Sequence, residues 1–242
     1  MKALHVRFEG FTAFYRMPFL ASGTLLSLPA PPYCSILGML GACVGRELLP
    51  SETRIGFEYH CRSSGNIELE RTVRWKVDKK KAILVPNPEQ GLTYREIHYA
   101  PRLDVYLTNP ELRAAFARPA GTPSFGRSQD IAWITLLREI DLGPVEQGRL
   151  GPTLMPSPQM DFGGRILPPI AQWFENDRLG YTRRLGNPVQ FQVVPESLER
   201  VFVRRRQTNV KLGNVRKTVT TELYHPSDSD RDDDAVYLHE WI

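Results

Sequence analysis

The stretch LPAPPYCSILGMLGACVG, from Leu28 to Gly45, decides how the first half of the chain folds. Its prolines precede an apolar segment, which predicts a helix from Tyr33 to Leu48, closed by the Pro50-Ser51 pair. Three glycines lie inside this segment: Gly38, Gly41 and Gly45. Each glycine costs a helix roughly 1 kcal/mol relative to alanine, so their presence needs a physical reason.

The three glycines fall on one side of the predicted helix. At about 100° per residue they form a stripe spanning roughly 60° of its surface. Such a stripe lets a neighbouring strand, a partner subunit or a phosphate backbone approach closely. Tight packing of the helix on a sheet is the simplest of these explanations. The amides at the start of the helix also offer a place for an anion.

The segments around this helix alternate between apolar and polar residues, as strands do. Leu4, Val6 and Phe8 point to one side of the first segment. Further strands are predicted at RIGFEYHCR, IELERTVRWKV and IAWITLLREIDL, with a short helix at PELRAAFARP. This order predicts an α+β, modified ferredoxin-like (RRM-like) domain over residues 1–135. Residues 136–242 are rich in Gly, Pro and short strand patterns, which predicts an irregular, β-rich C-terminal region.

The composition says more about where the protein is located than about what it does. The 242 residues carry a formal charge of only +4, and acidic residues gather in SDSDRDDD, Ser227–Asp234, which predicts a solvated loop. Three cysteines without a CxxC pair favour a reduced, cytoplasmic protein. Neither a signal peptide nor an apolar run near ~20 residues is visible, so no membrane partner is expected.

Two motifs carry a resemblance to a known family. PPYCSILGMLGACVG, followed by SFGRSQDIAWI at Ser124–Ile134, resembles the RAMP superfamily of CRISPR-associated proteins. More narrowly, the two motifs are similar to those of the fifth Cas family of type I systems, with an I-B-like system as one candidate. The resemblance extends to about Trp133. It implies a ferredoxin-like fold with a long β-hairpin, or thumb, here inserted at about 64–107.

The resemblance also implies a function. Most members of this family are non-catalytic, cofactor-free subunits that cap the 5′ handle of crRNA in the Cascade complex, a ribonucleoprotein of antiviral defence. They contact the backbone subunit and the large subunit, close to target DNA at the protospacer-adjacent motif. A rival interpretation from another class is a structural assembly subunit without direct RNA contact.

Basic and aromatic residues alternate in the predicted hairpin, as in surfaces that bind single-stranded RNA. Basic groups neutralise phosphates, and aromatic rings stack on unpaired bases at ~1–3 kcal/mol each. The predicted RNA-binding residues of this hairpin are Arg71, Arg74, Trp75, Lys76, Tyr94, Arg95 and His98. The alternative is a solvated strand face whose aromatic residues pack on the sheet.

A second predicted RNA site is the turn Gly126-Arg127-Ser128-Gln129. Glycine permits close approach of the backbone, and the arginine fork binds phosphate with two hydrogen bonds. The alternative is a β-turn in which Arg127 pairs with Asp130. Arg204 and Arg206 in a C-terminal basic tract share one strand face, where they contact either RNA or a neighbouring subunit.

The alternative enzymatic hypothesis is a metal-independent endoribonuclease that processes precursor crRNA, as one type I-C branch of the family does. Tyr15, Lys81 and His98 are the candidate residues for acid-base and electrostatic catalysis. The five histidines show no paired spacing, and His60-Cys61 is too isolated to indicate zinc. No Walker-type lysine follows the glycines, so nucleotide hydrolysis is not predicted.

Overall fold

The computed structural model describes residues 1–19, 23–72, 75–78, 80–86, 91–177, 182–196 and 199–242. Its N-terminal half contains β1 (Lys2–Gly10), β2 (Thr12–Ala13), β3 (Thr24–Leu25), α1 (Tyr33–Val44), β4 (Ile55–Thr72), β5 (Trp75–Asp78), β6 (Ile83–Pro86), β7 (Gly91–Leu107), a 3₁₀ turn (Pro110–Leu112), α2 (Arg113–Ala117) and β8 (Ala132–Val145). Strands dominate, so α+β describes the fold only loosely.

The C-terminal half is built from short strands, as predicted. These are β9 (Gln147–Leu150), β10 (Leu154–Pro156), β11 (Ile170–Ala171), β12 (Phe174–Asn176), β13 (Arg183–Leu185), β14 (Pro188–Val189), β15 (Phe191–Val193), β16 (Val201–Arg204), β17 (Gln207–Leu212), β18 (Val215–Thr220), β19 (Glu222–Pro226) and β20 (Asp234–Leu238). The acidic segment Ser227–Asp234 forms the connection between β19 and β20.

One large curled sheet draws strands from both halves. Its order is β16-β9-β20-β19-β8-β1-β7-β2, and β3 and β4 also pair with β7. The strands β8, β1, β7 and β4 are consecutive neighbours and antiparallel. The sheet curls until the segment after β20 meets β4, where the N–H of His239 donates to the Ile55 carbonyl at 2.9 Å.

The main core lies between the sheet and α1. Leu4, Val6 and Phe8 of β1 are buried there, as alternation predicts, together with Ile36 and Leu40 of α1. The opposite face of the sheet, which carries His5, Arg7 and Glu9 of β1, is partly covered by the curl. A second buried cluster fills this part of the sheet: Ala3, Tyr106, Ile140, Leu142, Tyr224, Val236 and Leu238.

His5 shows the effect of this second layer. It lies next to that cluster, is buried, stacks on Tyr106 at 4.5 Å and contacts Asp104 at 2.8 Å and Asp228 at 2.6 Å. Burial alone lowers the pKa of His5, but the hydrogen bonds to Asp104 and Asp228 outweigh it and raise the pKa. Asp228 belongs to the acidic segment, which is therefore held down as a loop.

The predicted end of α1 at Leu48 is wrong. The helix ends at Val44 because Gly45 adopts a left-handed conformation, φ 80°, and donates to the Gly41 carbonyl at 2.8 Å. Gly41 lies against the Arg46 carbonyl, which an added Cβ would approach to 2.9 Å, whereas Gly38 faces open space. The glycines therefore do not pack on the sheet, since Ile36 and Leu40 take that role.

β4 is one long strand where the sequence predicts two. It pairs with β7 from Ile55↔Leu107 to Thr72↔Gly91, with a register shift between Ser63 and Asn66. Beyond this shift the two strands continue, and β5 pairs with β6. We call residues 64–97 the hairpin arm, of which 73–74, 79 and 87–90 lie outside the described residues.

No helix in the described parts of the chain is long and apolar enough to cross a membrane. The three cysteines are free thiols. Burial raises the pKa of each thiol, Cys34, Cys43 and Cys61, to about 11.

Candidate nucleic-acid interface

The turn at Gly126 is built so that only glycine fits. The Phe14 N–H donates to the Phe125 carbonyl at 3.0 Å, which brings the two segments together. Gly126 has φ 103°, and an added Cβ would lie 1.9 Å from the Phe14 carbonyl oxygen. Backbone hydrogen bonds from Phe125 to Asp130 and from Asp130 to Arg127 close the turn. The glycine predicted from the motif is thus required by geometry.

Arg127 is held by two carboxylates. Its Nε and Nη2 donate to Asp130 at 2.7 and 2.8 Å, and its Nη1 donates to Glu68 of the hairpin arm. These hydrogen bonds, that to Asp130 above all, raise the pKa of Arg127. Asp130 is buried and also accepts from Thr12 at 2.6 Å. The structure therefore contains the Arg127–Asp130 turn that was the alternative interpretation, with Glu68 tying the arm to it.

Ser128 and Gln129 are exposed beside this turn, so their hydroxyl and amide groups are accessible to a ligand. A cleft of about 610 Å³ joins the turn to the open side of α1. Residues lining it include Gly38, Gly45, Ser124 and Gly126, and two arginines, Arg46 and Arg183. We call it the glycine cleft. Larger side chains, Met39, Glu47 and Phe174 among them, line the rest of it, so close approach to the backbone is offered only on its glycine side.

The two arginines of the glycine cleft were missed from the sequence. Arg46 follows the helix directly and pairs with Glu52 through Nη2 at 2.6 Å. Arg183 lies 5.0 Å from the ring centroid of Phe174, and its Nε donates to Asn176. The position of Arg46 one residue after the C-cap glycine was a usable signal. Arg183 had none, since a distant strand brings it to the cleft.

The residues predicted in the hairpin divide between its outer part and its base. Arg71 and Lys76 are exposed, Trp75 is 60% exposed and Tyr94 48%. Arg74 lies outside the described residues. At the base, Arg95 pairs with Glu70 and lies 4.9 Å from the Phe14 ring centroid. The basic-aromatic surface therefore lies on the outer part of the arm, where Lys80 and Lys81 are also exposed.

His98, also predicted to bind RNA, is only 2% exposed. Its Nδ1 lies 2.7 Å from the Tyr59 hydroxyl, and its ring lies 6.2 Å from that of Tyr15. Burial lowers the pKa of His98 despite the opposing effect of Glu96. Burial also raises the pKa of Tyr15 well above its usual value. Both groups are held in their uncharged forms inside the protein.

The structure brings Tyr15 and His98 together, whereas Lys81 lies in the turn between β5 and β6. Gly91 lies seven positions before His98 in β7, about 23 Å of extended strand, and Lys81 lies beyond that point along the chain. In the described residues no group of three or more His, Cys, Asp or Glu side chains is placed to hold a metal ion.

The C-terminal basic tract continues past the end of β16, so Arg205 and Arg206 lie in the connection to β17 and not on a strand. The Arg204 N–H and the Arg206 guanidinium both donate to Asp161, whereas Arg205 pairs with Glu146 and Glu222. Arg204 is exposed and lies 5.8 Å from the Phe202 ring centroid. Arg206 is the more buried of the two and has a carboxylate partner.

Comparison with known proteins supports a fold relationship. No protein-family model and no curated protein sequence matches the chain. A chain of a solved structure described as a CRISPR RNA-guided surveillance complex aligns with a TM-score of 0.53 and 16% identity, covering 83% of this chain and 91% of that chain. The two chains share a fold.

A weaker match has a related description. A CRISPR protein from Archaeoglobus fulgidus aligns with 12% identity over 99% of this chain and 100% of that chain, at a TM-score of 0.45. A similarity at that level carries no argument about the fold.

Proposed function

We propose that this protein is a non-catalytic, RNA-binding subunit of a type I CRISPR Cascade complex that holds the 5′ handle of crRNA. One observation carries the proposal: Glu68, at the base of the hairpin arm, pairs with Arg127, which joins the arm that carries the basic-aromatic residues to the Gly126-Arg127 turn. The fold shared with a chain of an RNA-guided surveillance complex supports it. The residue motifs of the fifth Cas family add to that support.

The strand order supports a modified ferredoxin-like core within this fold. The elements β1, α1, β4, β7, α2 and β8 follow each other as strand, helix, strand, strand, helix, strand. Their strands lie side by side in the order β8-β1-β7-β4. In this interpretation the hairpin arm is the thumb inserted between the second and third strands of the core.

The RNA handle would follow the glycine cleft and the inner side of the arm. Single-stranded RNA is recognised through phosphate neutralisation and stacking of splayed bases. Exposed backbone at Gly38 and Gly126 lets phosphates approach, Gln129 presents an amide to a base edge, and Trp75 offers a ring. Aliphatic residues on the arm, such as Leu69 and Leu92, would contact the backbone subunit of the complex.

The endoribonuclease alternative has weaker support. A catalytic acid or base must reach the reacting atoms, within about 2.6–3.2 Å or through one water. Tyr15 and His98 are buried, and Lys81 lies on the outer part of the arm. Incubating the protein with repeat RNA in EDTA separates the two functions. A defined cleavage product would overturn the non-catalytic proposal, whereas intact, bound RNA would support it.

A binding experiment tests the proposed surface. Fluorescence anisotropy with a repeat-derived 5′ handle RNA should show weaker binding for Trp75→Ala and Lys76→Ala, by about fivefold or more for the ring. Arg118→Ala is the matched control, because Arg118 is an exposed arginine at the end of α2, outside the arm. Equal affinity of all three variants and the wild type would contradict RNA binding by the arm and favour a purely structural subunit.

A further inference from the structure

The second face of β1, turned away from α1, changes along the strand. Ala3 lies in the buried cluster under the curl, and His5 is buried between Asp104 and Asp228. At the other end, Glu9 is only partly buried. The curl thus closes one end of this sheet face and leaves the other end open, close to the base of the hairpin arm.

The open end carries a row of side chains across four strands. By strand register, Trp133 of β8 lies opposite Glu9 of β1, Glu9 opposite Arg102 of β7, and Arg102 opposite His60 of β4. Directly paired residues share a face of the sheet. These side chains line a cleft of about 570 Å³, within the range of small-molecule sites, about 300–1,000 Å³.

Three aromatic rings border this cleft, which we call the ring cleft. Phe11 is 72% exposed, Tyr99 47% and Trp133 39%, and the Phe11 and Trp133 ring centroids are 5.1 Å apart at 60°. Single exposed apolar residues are ordinary, but clustered exposed rings mark binding surfaces. Exposed rings on strands of an antiparallel sheet are a common platform for stacking unpaired bases.

Backbone geometry fixes the segments that carry two of the rings, Phe11 and Tyr99. Ala100, next to Tyr99, has φ 48°, and its N–H donates to the Phe11 carbonyl at 2.8 Å. Opposite, Gly65 has φ 78° at the register shift of β4. A left-handed alanine costs about 1–2 kcal/mol, and such strain persists where the local geometry serves a function. Here the hydrogen bond from Ala100 joins the segment of Phe11 to that of Tyr99.

The ring cleft is lined by two arginines, Arg62 and Arg102, and by two carboxylates, Glu9 and Glu196, of which Glu196 contacts His60 at 2.9 Å. Arg62 is exposed, and the Arg102 side chain stays 43% exposed although its Nε lies 3.2 Å from Asp104. An arginine next to an aromatic ring contacts a phosphate or stacks on a base, and the Glu9 carboxylate accepts hydrogen bonds from an amino group of a base. The exposed apolar residues of the hairpin arm differ from those of the ring cleft. Most of them are aliphatic, which suits contact with another protein.

We propose that the ring cleft is a second binding site, for unpaired nucleotides of a single strand of nucleic acid. Bases stack on Phe11, Tyr99 and Trp133, and Arg62 and Arg102 contact the phosphates. The site lies on the sheet face opposite α1, and none of these five residues belongs to the surface proposed for the crRNA handle. It therefore goes beyond the proposed function and stands independently of it.

The test uses the whole chain carrying Trp75→Ala, Lys76→Ala and Lys80→Ala. These three substitutions should weaken nucleic-acid binding by the hairpin arm, so that binding at the ring cleft can be measured. Fluorescein-labelled rU6 and dT6 are the probes, measured by anisotropy over a range of salt concentrations. Adding Trp133→Ala should lower affinity about 5- to 100-fold, because stacking contributes ~1–3 kcal/mol per base. Trp133→Phe, which keeps a ring, should retain most of the affinity. Arg62→Gln should reduce the salt slope by about 1.

Ile131→Ala is the matched control, because Ile131 is an exposed apolar residue two positions before Trp133 that does not line the ring cleft, and it should leave affinity within about twofold. Tighter binding of rU6 or of dT6 identifies the strand type. Unchanged affinity in both Trp133→Ala and Phe11→Ala overturns the proposal, and so does a change in self-association without a change in oligonucleotide affinity. Failure of the handle-binding proposal looks different: handle RNA then binds the arm variant and the wild type equally well.

Discussion

The body of the molecule and the hairpin arm use the same sequence pattern for opposite purposes. In β1, the apolar residues of the alternating pattern, Leu4, Val6 and Phe8, are completely buried. In the arm, Leu69 pairs with Tyr94 across the strands, yet both side chains are about half exposed. Alternation therefore predicts that a segment is a strand, but it does not predict that a second layer covers its apolar side.

The difference has an energetic consequence. Removing apolar surface from water stabilises a fold by roughly 25 cal/mol per Å². The body gains this through α1 and the curl of the sheet, whereas the arm forgoes it at Trp75, Val77 and Leu84. An apolar surface that stays exposed in the isolated chain is suited to contact a partner, since patches of this kind mark interaction sites.

The largest expected effect is on the stability of the body. Phe57 is 1% exposed and packs edge-on against Tyr33 at 5.2 Å, so Phe57→Ala should lower the free energy of unfolding by about 3–5 kcal/mol. Trp75→Ala in the arm should change it by less than about 0.5 kcal/mol. Urea denaturation measures both. A similar loss in the two variants would mean that the arm is packed like the body.

Two glycines sharpen the comparison within the body itself. Gly126→Ala places a Cβ against the Phe14 carbonyl and strains a backbone at φ 103°, so it should cost about 2 kcal/mol or more. Gly38→Ala points into open space on α1 and should stabilise the protein by about 0.5–1 kcal/mol. Calorimetry measures the two opposite shifts.

Gly38→Ala also tests the glycine cleft. Because the cleft is proposed to admit a phosphate backbone at this glycine, the stabilised variant should bind handle RNA more weakly than the wild type. Unchanged affinity would show that the exposed glycine face of α1 is not part of the RNA surface.

The loss of stability at acidic pH should come from a buried histidine in the body of the molecule. His239 is fully buried, stacks on Tyr33 at 4.1 Å, and burial lowers its pKa to about 3. The unfolded chain binds this proton near pH 6.5, so the free energy of unfolding falls as pH drops below about 6.5, by roughly 2 kcal/mol at pH 5. Denaturation of His239→Gln between pH 7 and pH 5 should lack this part of the loss.

Protonation of His5 stabilises the fold, which is the opposite of the effect of His239. Its raised pKa gives stabilisation that is full below about pH 6.5 and is lost as pH rises through its folded pKa. Comparing His239→Gln with the wild type isolates the His239 contribution, because His5 is present in both proteins. Identical pH profiles would contradict a neutral, buried His239.

The smallest expected effect concerns the contact between the two regions. Glu68→Gln removes the charge through which the arm neutralises Arg127. The glutamine side chain still accepts a hydrogen bond, so the arm stays joined to the turn. Handle RNA should then bind about two- to fivefold more tightly, since the lost charge of this partly buried ion pair is worth ~0.5–1 kcal/mol after screening by solvent. Glu139→Gln, which removes an exposed partner of Arg113, is the control and should leave the affinity unchanged. Weaker binding by Glu68→Gln would contradict a role for Arg127 at the RNA.

The candidate site was only partly visible in the sequence. Gly126 was predicted because a motif placed a glycine before an arginine, and its φ and close contact explain the residue. Glu68, which binds Arg127 from 59 residues away, carries no local signal. His98 shows the reverse error, because a histidine in a basic-aromatic stretch looks accessible, whereas β2 and the ring of Tyr59 enclose it.

By itself, the sequence determined most of the longer strands, although it divided β4 into two, together with the start of α1, the short α2 and the loop character of Ser227–Asp234, because these depend on alternation, proline and charge between near neighbours. Only the tertiary structure decided which polar residues become buried, as His5 does, and which apolar residues stay exposed, as Trp75 does. Burial depends on what covers a face, and here the covering strands come from parts of the chain more than a hundred residues away. Local pattern carries no information about such distant partners.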